Sequence, residues 1–194
     1  MRRAACSRGR IPCSGRRGRE NRQVRVERHF AFVDLSGFTS FTDAHGDEES
    51  VKVLTEFRGA VRRIATDFGV RIAKWLGDGC MLVAVDGGQL VAAVIELERI
   101  IDELDLPLAM HAGMAGGPVM LLEGDDYTGG PVNLASRLCD VAVPHEILVT
   151  PAIAEIAPVD TSREQVGPLT FSGMSQPVDI VRLRCENSGA AADH

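Results

Sequence analysis

Between His29 and Leu35 apolar residues dominate a short strand-like run that ends beside a carboxylate, Asp34. The small-residue stretch Ser36 to Thr42 follows and opens a helix. Leu54, Phe57, Val61, Ile64, Ala65 and Phe68 then recur at helical spacing, with Asp47 as the expected cap and Gly69 as the stop. Two strands are expected near Val70 to Trp75 and Cys80 to Val85, joined through Gly77, Asp78 and Gly79. After the Asp86-Gly87-Gly88 break, Leu90, Val91, Val94, Leu97, Ile101 and Leu104 mark a second amphipathic helix. Pro107 to Gly113 reads as a further strand, with Pro118 to Leu122 pairing back after Gly116-Gly117.

That order, β-α-β-β-α-β, is the split βαβ arrangement of ferredoxin-like α+β folds. A C-terminal α/β extension completes it. Gly129-Gly130 and then Pro131 start a helix that places Asn133 and Arg137 one turn apart, at i and i+4. A strand at Ile147 to Thr150, a short helix at Pro151 to Ile156 and a last strand near Val178 to Leu183 follow.

Composition divides the chain. Ten arginines fall within residues 1–28 against Glu20 and Glu27 alone, while the whole chain of 194 residues carries a net charge of −6. The boundary near Arg28 separates a basic leader, too poor in apolar residues to fold alone, from an acidic body at 29–185 and a frayed tail at 186–194. Clustered arginine suits phosphate, but no aromatic interleaves it, so a disordered extension is the expectation and no nucleic-acid partner is expected. No apolar run is long enough for a membrane span. Five cysteines, odd in number and without metal or redox spacing, fit a reducing, cytoplasmic setting, with Cys80 and Cys139 in the core.

Chemistry concentrates in Lys74 to Gly79. At strand rise, the four positions between Lys74 and Asp78 span up to about 13 Å, so the two would not meet around one atom. They serve opposite ends of a ligand, two different sites of a symmetric dimer, or merely an exposed position and an ordinary Gly-Asp-Gly turn. Backbone N–H groups at Ser36 to Thr39 suit phosphate, and Asp34 suits a divalent ion bridging it. His111, within an apolar alternation, reads as a core or interface histidine.

Taken together, Phe32 to Thr39, Lys74 to Asp78 and Asp126 to Arg137 resemble, in order and spacing, the catalytic domain of class III nucleotidyl cyclases, over most of residues 29–184. The resemblance implies an adenylyl cyclase that closes ATP to cyclic AMP and pyrophosphate at sites shared across a head-to-tail homodimer. It implies two Mg²⁺ or Mn²⁺ ions on Asp34, Asp78 and the Leu35 carbonyl, and triphosphate on Ser36, Gly37, Phe38 and Thr39. Arg137 would face the α-phosphate, Asn133 the ribose, and Lys74 with Asp126 the adenine. An ammonium donor and a carboxylate acceptor complement the N1 acceptor and amino donor of adenine, whereas guanine reverses both. Ser172 stands where the family commonly has a lysine near the triphosphate. That departure keeps open a weak or inactive nucleotide-binding module, and a guanylyl cyclase is the second alternative.

Overall fold

The structure is a computed structural model and describes residues 25–122, 126–174 and 176–185. The bulk of the basic leader and the expected tail lie outside those residues.

The first strand, β1 (Arg25–Leu35), is followed by α1 (Phe38–His45), α2 (Asp47–Asp67), β2 (Arg71–Leu76), β3 (Gly79–Ala84), α3 (Gly87–Glu103) and β4 (Met110–Leu121). Then come β5 (Tyr127–Thr128), α4 (Gly130–Val141), β6 (Ile147–Val149), α5 (Pro151–Glu155), β7 (Thr161–Leu169) and β8 (Val178–Cys185). The eight strands form one sheet in the order β2-β3-β1-β4-β6-β8-β7, with β5 on β4. Its β2-β3-β1-β4 part is antiparallel throughout and is the ferredoxin-like core; β6 joins it parallel to β4.

Alternation along β1 divides the core between two faces. Ala31, Val33 and Leu35 pack with Phe57 and Val61 of α2 and with Leu90 and Val94 of α3. Phe30 and Phe32 point the other way, to a smaller cluster with Met81, Val83, Ala115 and Ala135 of α4. Asp34 follows the even positions and therefore lies on the α4 face, where it ends that apolar row with a charge. Helix α4 lies flush against β4 because Gly113 has no side chain: a Cβ there would sit 2.1 Å from Cys139 N and 2.3 Å from Ala135 O. Both Cys80 and Cys139 are buried and free, as expected of core thiols.

Several boundaries differ from the sequence expectation. Strand β1 begins at Arg25, so the segment from Arg25 to Arg28 belongs to the sheet and pairs with Met120 to Gly117 of β4. Gly116-Gly117 does not turn the chain, because β4 runs unbroken from Met110 to Leu121. Gly116 serves close approach instead: a Cβ there would lie 2.4 Å from the His29 ring. Gly46, not Asp47, is the N-cap of α2, and Asp47, Glu48 and Glu49 fill its first turn, where negative charge favours the helix dipole. Strand β7 was not expected. It is the sheet's edge, mostly exposed and with its register shifted between Gln165 and Gly167, so it lacks the apolar alternation that marks a buried strand.

Candidate active site

Two groups of charged side chains gather on the α4 face. In the first, Asp34 at the end of β1 and Asp78 in the β2–β3 turn share a cleft of about 190 Å³ with Gly79, Ser136, Cys139 and Asp140. Gly79 makes this possible, because a Cβ there would meet Asp34 Oδ1 at 2.5 Å and Val33 O at 2.6 Å. Burial first, and then the neighbouring Asp78 charge, push the Asp34 carboxyl up to about 6, against a backbone hydrogen bond from Leu35 that favours its charged form. Asp140 adds a weaker push in the same direction. Burial beside this cleft also drives the Cys80 thiol up to about 12 and the Cys139 thiol higher still, so neither is a ready nucleophile.

The second group is charge-balanced. Lys74 Nζ of β2 lies 2.8 Å from Asp126 Oδ1, just ahead of β5. Asp126 also accepts a 2.8 Å hydrogen bond from the Tyr127 N–H. The Lys74 hydrogen bond, and then this backbone donor, hold the Asp126 carboxyl below its ordinary range. Tyr127 is fixed in turn by edge-on contact with Phe30, with ring centroids 5.3 Å apart, and by Arg71, whose Nη2 donates to its hydroxyl at 3.1 Å. Lys74 and Asp78, four positions apart on one hairpin, thus have separate neighbours.

The Ser36 to Thr39 segment connects β1 to α1. Gly37 caps α1 in the left-handed region, at φ 76°. The Ser36 N–H is already committed to Ala109 O at 2.8 Å, which leaves the first-turn N–H groups of α1 as the segment's free backbone donors. The Ser36 hydroxyl is 2.9 Å from His111 Nδ1, and His111 stands opposite Asp34 in the β1–β4 register. Burial holds the His111 imidazole below its ordinary range, against the pull of Asp78 and Asp140. It therefore supports the loop rather than merely filling the core.

On α4, Pro131 occupies the first turn as expected. Asn133 and Arg137 do not line the carboxylate cleft; Ser136 and Asp140, also four apart, do. A Cβ on Gly173 would lie 3.6 Å from Arg137 Nη2, which places the loop bearing Ser172 beside that guanidinium. No carboxylate pairs with Arg137 among the described residues. The sequence reading missed Ser136, Asp140 and the role of His111. Ser136 and Asp140 share a helix face at i and i+4, but only the packing of α4 turns that face to Asp34; the role of His111 depends on a strand register that no local pattern reveals.

This fold is that of class III nucleotidyl cyclase catalytic domains. An adenylyl cyclase of P. aeruginosa superposes with a TM-score of 0.76 at 24% identity, over 83% of this chain and 95% of that one. The guanylyl cyclase Cya2 superposes at 0.67, also at 24% identity, over 83% and 93%. No family model matches the chain. In sequence, an uncharacterized protein of Mycobacterium tuberculosis is 38% identical over 162 residues, 84% of this chain and 42% of that protein. A pH-sensitive adenylate cyclase of the same organism is 32% identical over 185 residues, 89% of this chain and 44% of its own length. An adenylate cyclase of Streptomyces coelicolor is 32% identical over 79% of this chain and 39% of its own. By fold the chain is of the class III nucleotidyl cyclase type, and its sequence relatives include adenylate cyclases. It spans less than half the length of each of the sequence relatives named.

Proposed function

We propose that this chain is the catalytic domain of a homodimeric adenylyl cyclase. One observation carries the reading: two carboxylates, Asp34 and Asp78, share a cleft that no Lys or Arg lines among the described residues, while a matched Lys74–Asp126 pair stands elsewhere on the same face. Hard oxygen donors that repel each other fit a small divalent ion. Among the described residues no group of three or more His, Cys, Asp or Glu converges on a metal position, so phosphate oxygens or water would complete the coordination. Asp34, Asp78 and the Leu35 carbonyl would hold two Mg²⁺ or Mn²⁺ ions. Once bound, these supply charge neutralisation and ease loss of the ribose 3′-hydroxyl proton.

The chain's own groups do the rest. The first-turn N–H groups of α1 cradle the triphosphate, with Ser36 braced by His111. Arg137 presents a permanent guanidinium to the charge that grows on the α-phosphate, and Asn133 orients the ribose. Lys74 donates to adenine N1 and Asp126 accepts from its amino group. Arg137 and Asn133 lie outside the carboxylate cleft of their own chain, which supports a site completed by a second copy. The fold alone does not choose the base, since adenylyl and guanylyl cyclases both share it. Lys74 and Asp126 favour ATP over GTP.

The test is cyclic nucleotide production from ATP or GTP, with Mn²⁺ or Mg²⁺, across a range of protein concentration. Cyclic AMP with specific activity rising as dimers form is expected, and mixing inactive Asp34→Ala with inactive Arg137→Ala chains should restore turnover. Absence of recovery in verified heterodimers rules out the shared site. A second reading, a nucleotide-binding module without turnover, is favoured by Ser172 beside Arg137 and takes over if a folded dimer cyclises neither nucleotide.

A further inference from the structure

The Leu76–Gly79 pairing closes the turn that carries Asp78, but the turn has no side-chain anchor of its own. Gly77, at φ 72°, and Gly79 flank the aspartate, and neither has a side chain to pack. Leu76, just before them, is largely exposed. Helix α2 supplies the missing anchor. Arg58 Nη2 donates to Gly77 O at 2.7 Å, and its guanidinium carbon stands 5.1 Å from the ring centroid of Trp75 on the strand entering the turn. Arg62, one helical turn on, approaches the same ring at 5.2 Å. Arg58 Nε is buried without a partner, a cost the side chain bears while its terminal nitrogen stays on Gly77.

We propose that Arg58 is a positioning residue for Asp78: by clamping the Gly77 carbonyl and stacking on Trp75, it fixes the direction in which the Asp78 carboxylate enters the cleft. The inference rests on the reading of Asp78 as a metal ligand. A partner of this kind typically sets metal affinity about ten- to a hundredfold, because it orients the ligand before binding. Arg62 shares the ring but not the carbonyl, and so serves as the internal control.

Trp75 is the chain's single tryptophan, so its emission reports on this turn. Two readouts are taken on the full chain without nucleotide: amide hydrogen exchange across residues 75–80 in metal-free protein, and Mn²⁺ titration followed by Trp75 emission. Arg58→Met keeps an apolar stem over the ring but removes the donor to Gly77. It should speed exchange in the turn about tenfold and weaken the Mn²⁺ midpoint about tenfold. Arg58→Lys, which still reaches the carbonyl with a donor, should recover most of both, and Arg62→Ala should change neither. Wild-type exchange and a wild-type midpoint in Arg58→Met overturn the proposal. So does equal impairment of the Met and Lys variants with a matching fall in Tm, which marks general packing instead. If the wild type shows no Mn²⁺ response, the metal reading itself fails, and exchange across the turn alone decides whether Arg58 is its clamp.

Discussion

Lys74 and Asp78 sit on one hairpin, yet their surroundings are opposite in character. Lys74 meets a carboxylate at 2.8 Å, and that pair is already balanced in a single chain. Asp78 meets another carboxylate in a partly buried cleft, where burial and like charge push Asp34 up to about 6. The first arrangement is complete, and under the proposed function a base can only match or mismatch it. The second is incomplete and becomes favourable when positive charge enters. On the proposed reading, recognition is built from groups that satisfy each other, and reactivity from groups that do not.

Breaking the unsatisfied pair has the largest expected effect. Asp34→Ala or Asp78→Ala should lower metal-dependent turnover by about a thousandfold or more, since the charge neutralisation at stake is worth several kcal/mol. Product chromatography at saturating ATP measures it. Retained turnover in both variants would mean that the cleft is not the metal site.

A carboxylate outside this cleft is pushed the same way, with burial again the largest cause. Glu98 on α3 is only 8% exposed, and burial first, then Asp102, push its carboxyl up to about 7, with Arg184 opposing. Its folded value lies above its unfolded one, so its contribution to stability is fully present below pH 4.5 and is lost as pH rises through about 7. Glu98→Gln should therefore gain up to roughly 3 kcal/mol over the wild type at pH 8, and almost nothing near pH 4. Urea unfolding at both pH values checks the difference. An equal gain at both would show that the substitution acts through packing, leaving burial of the charge without a role.

The same contrast marks what was legible in the sequence. Periodicity carried the helices and central strands because α2, α3 and β1 each bury one regular face. It failed at β7, whose exposed edge leaves no apolar period, and at Gly116-Gly117, where glycine answers the His29 ring rather than a turn. The Lys74 to Asp78 spacing alone permitted an inert hairpin as readily as two sites; the family motif was needed to choose between them. Arg58 could not be found that way at all. In sequence it is one polar position on an amphipathic helix, and its contact with Gly77 exists only because α2 packs across the hairpin.

The smallest expected effect concerns the balanced pair. Lys74 and Asp126 are 47% and 38% exposed, and an ion pair that accessible contributes about 0–1 kcal/mol to folding. Lys74→Met should leave the unfolding midpoint within that range of the wild type, while preference for ATP over GTP falls roughly tenfold, the worth of one net hydrogen bond. Competition between the two nucleotides, read beside a urea titration of the same preparation, distinguishes the two quantities. If stability drops well beyond 1 kcal/mol and selectivity holds, Lys74 and Asp126 are a structural brace. If selectivity drops and stability holds, the pair exists to be compared with a base, and its closure within one chain keeps the two groups oriented before the nucleotide arrives.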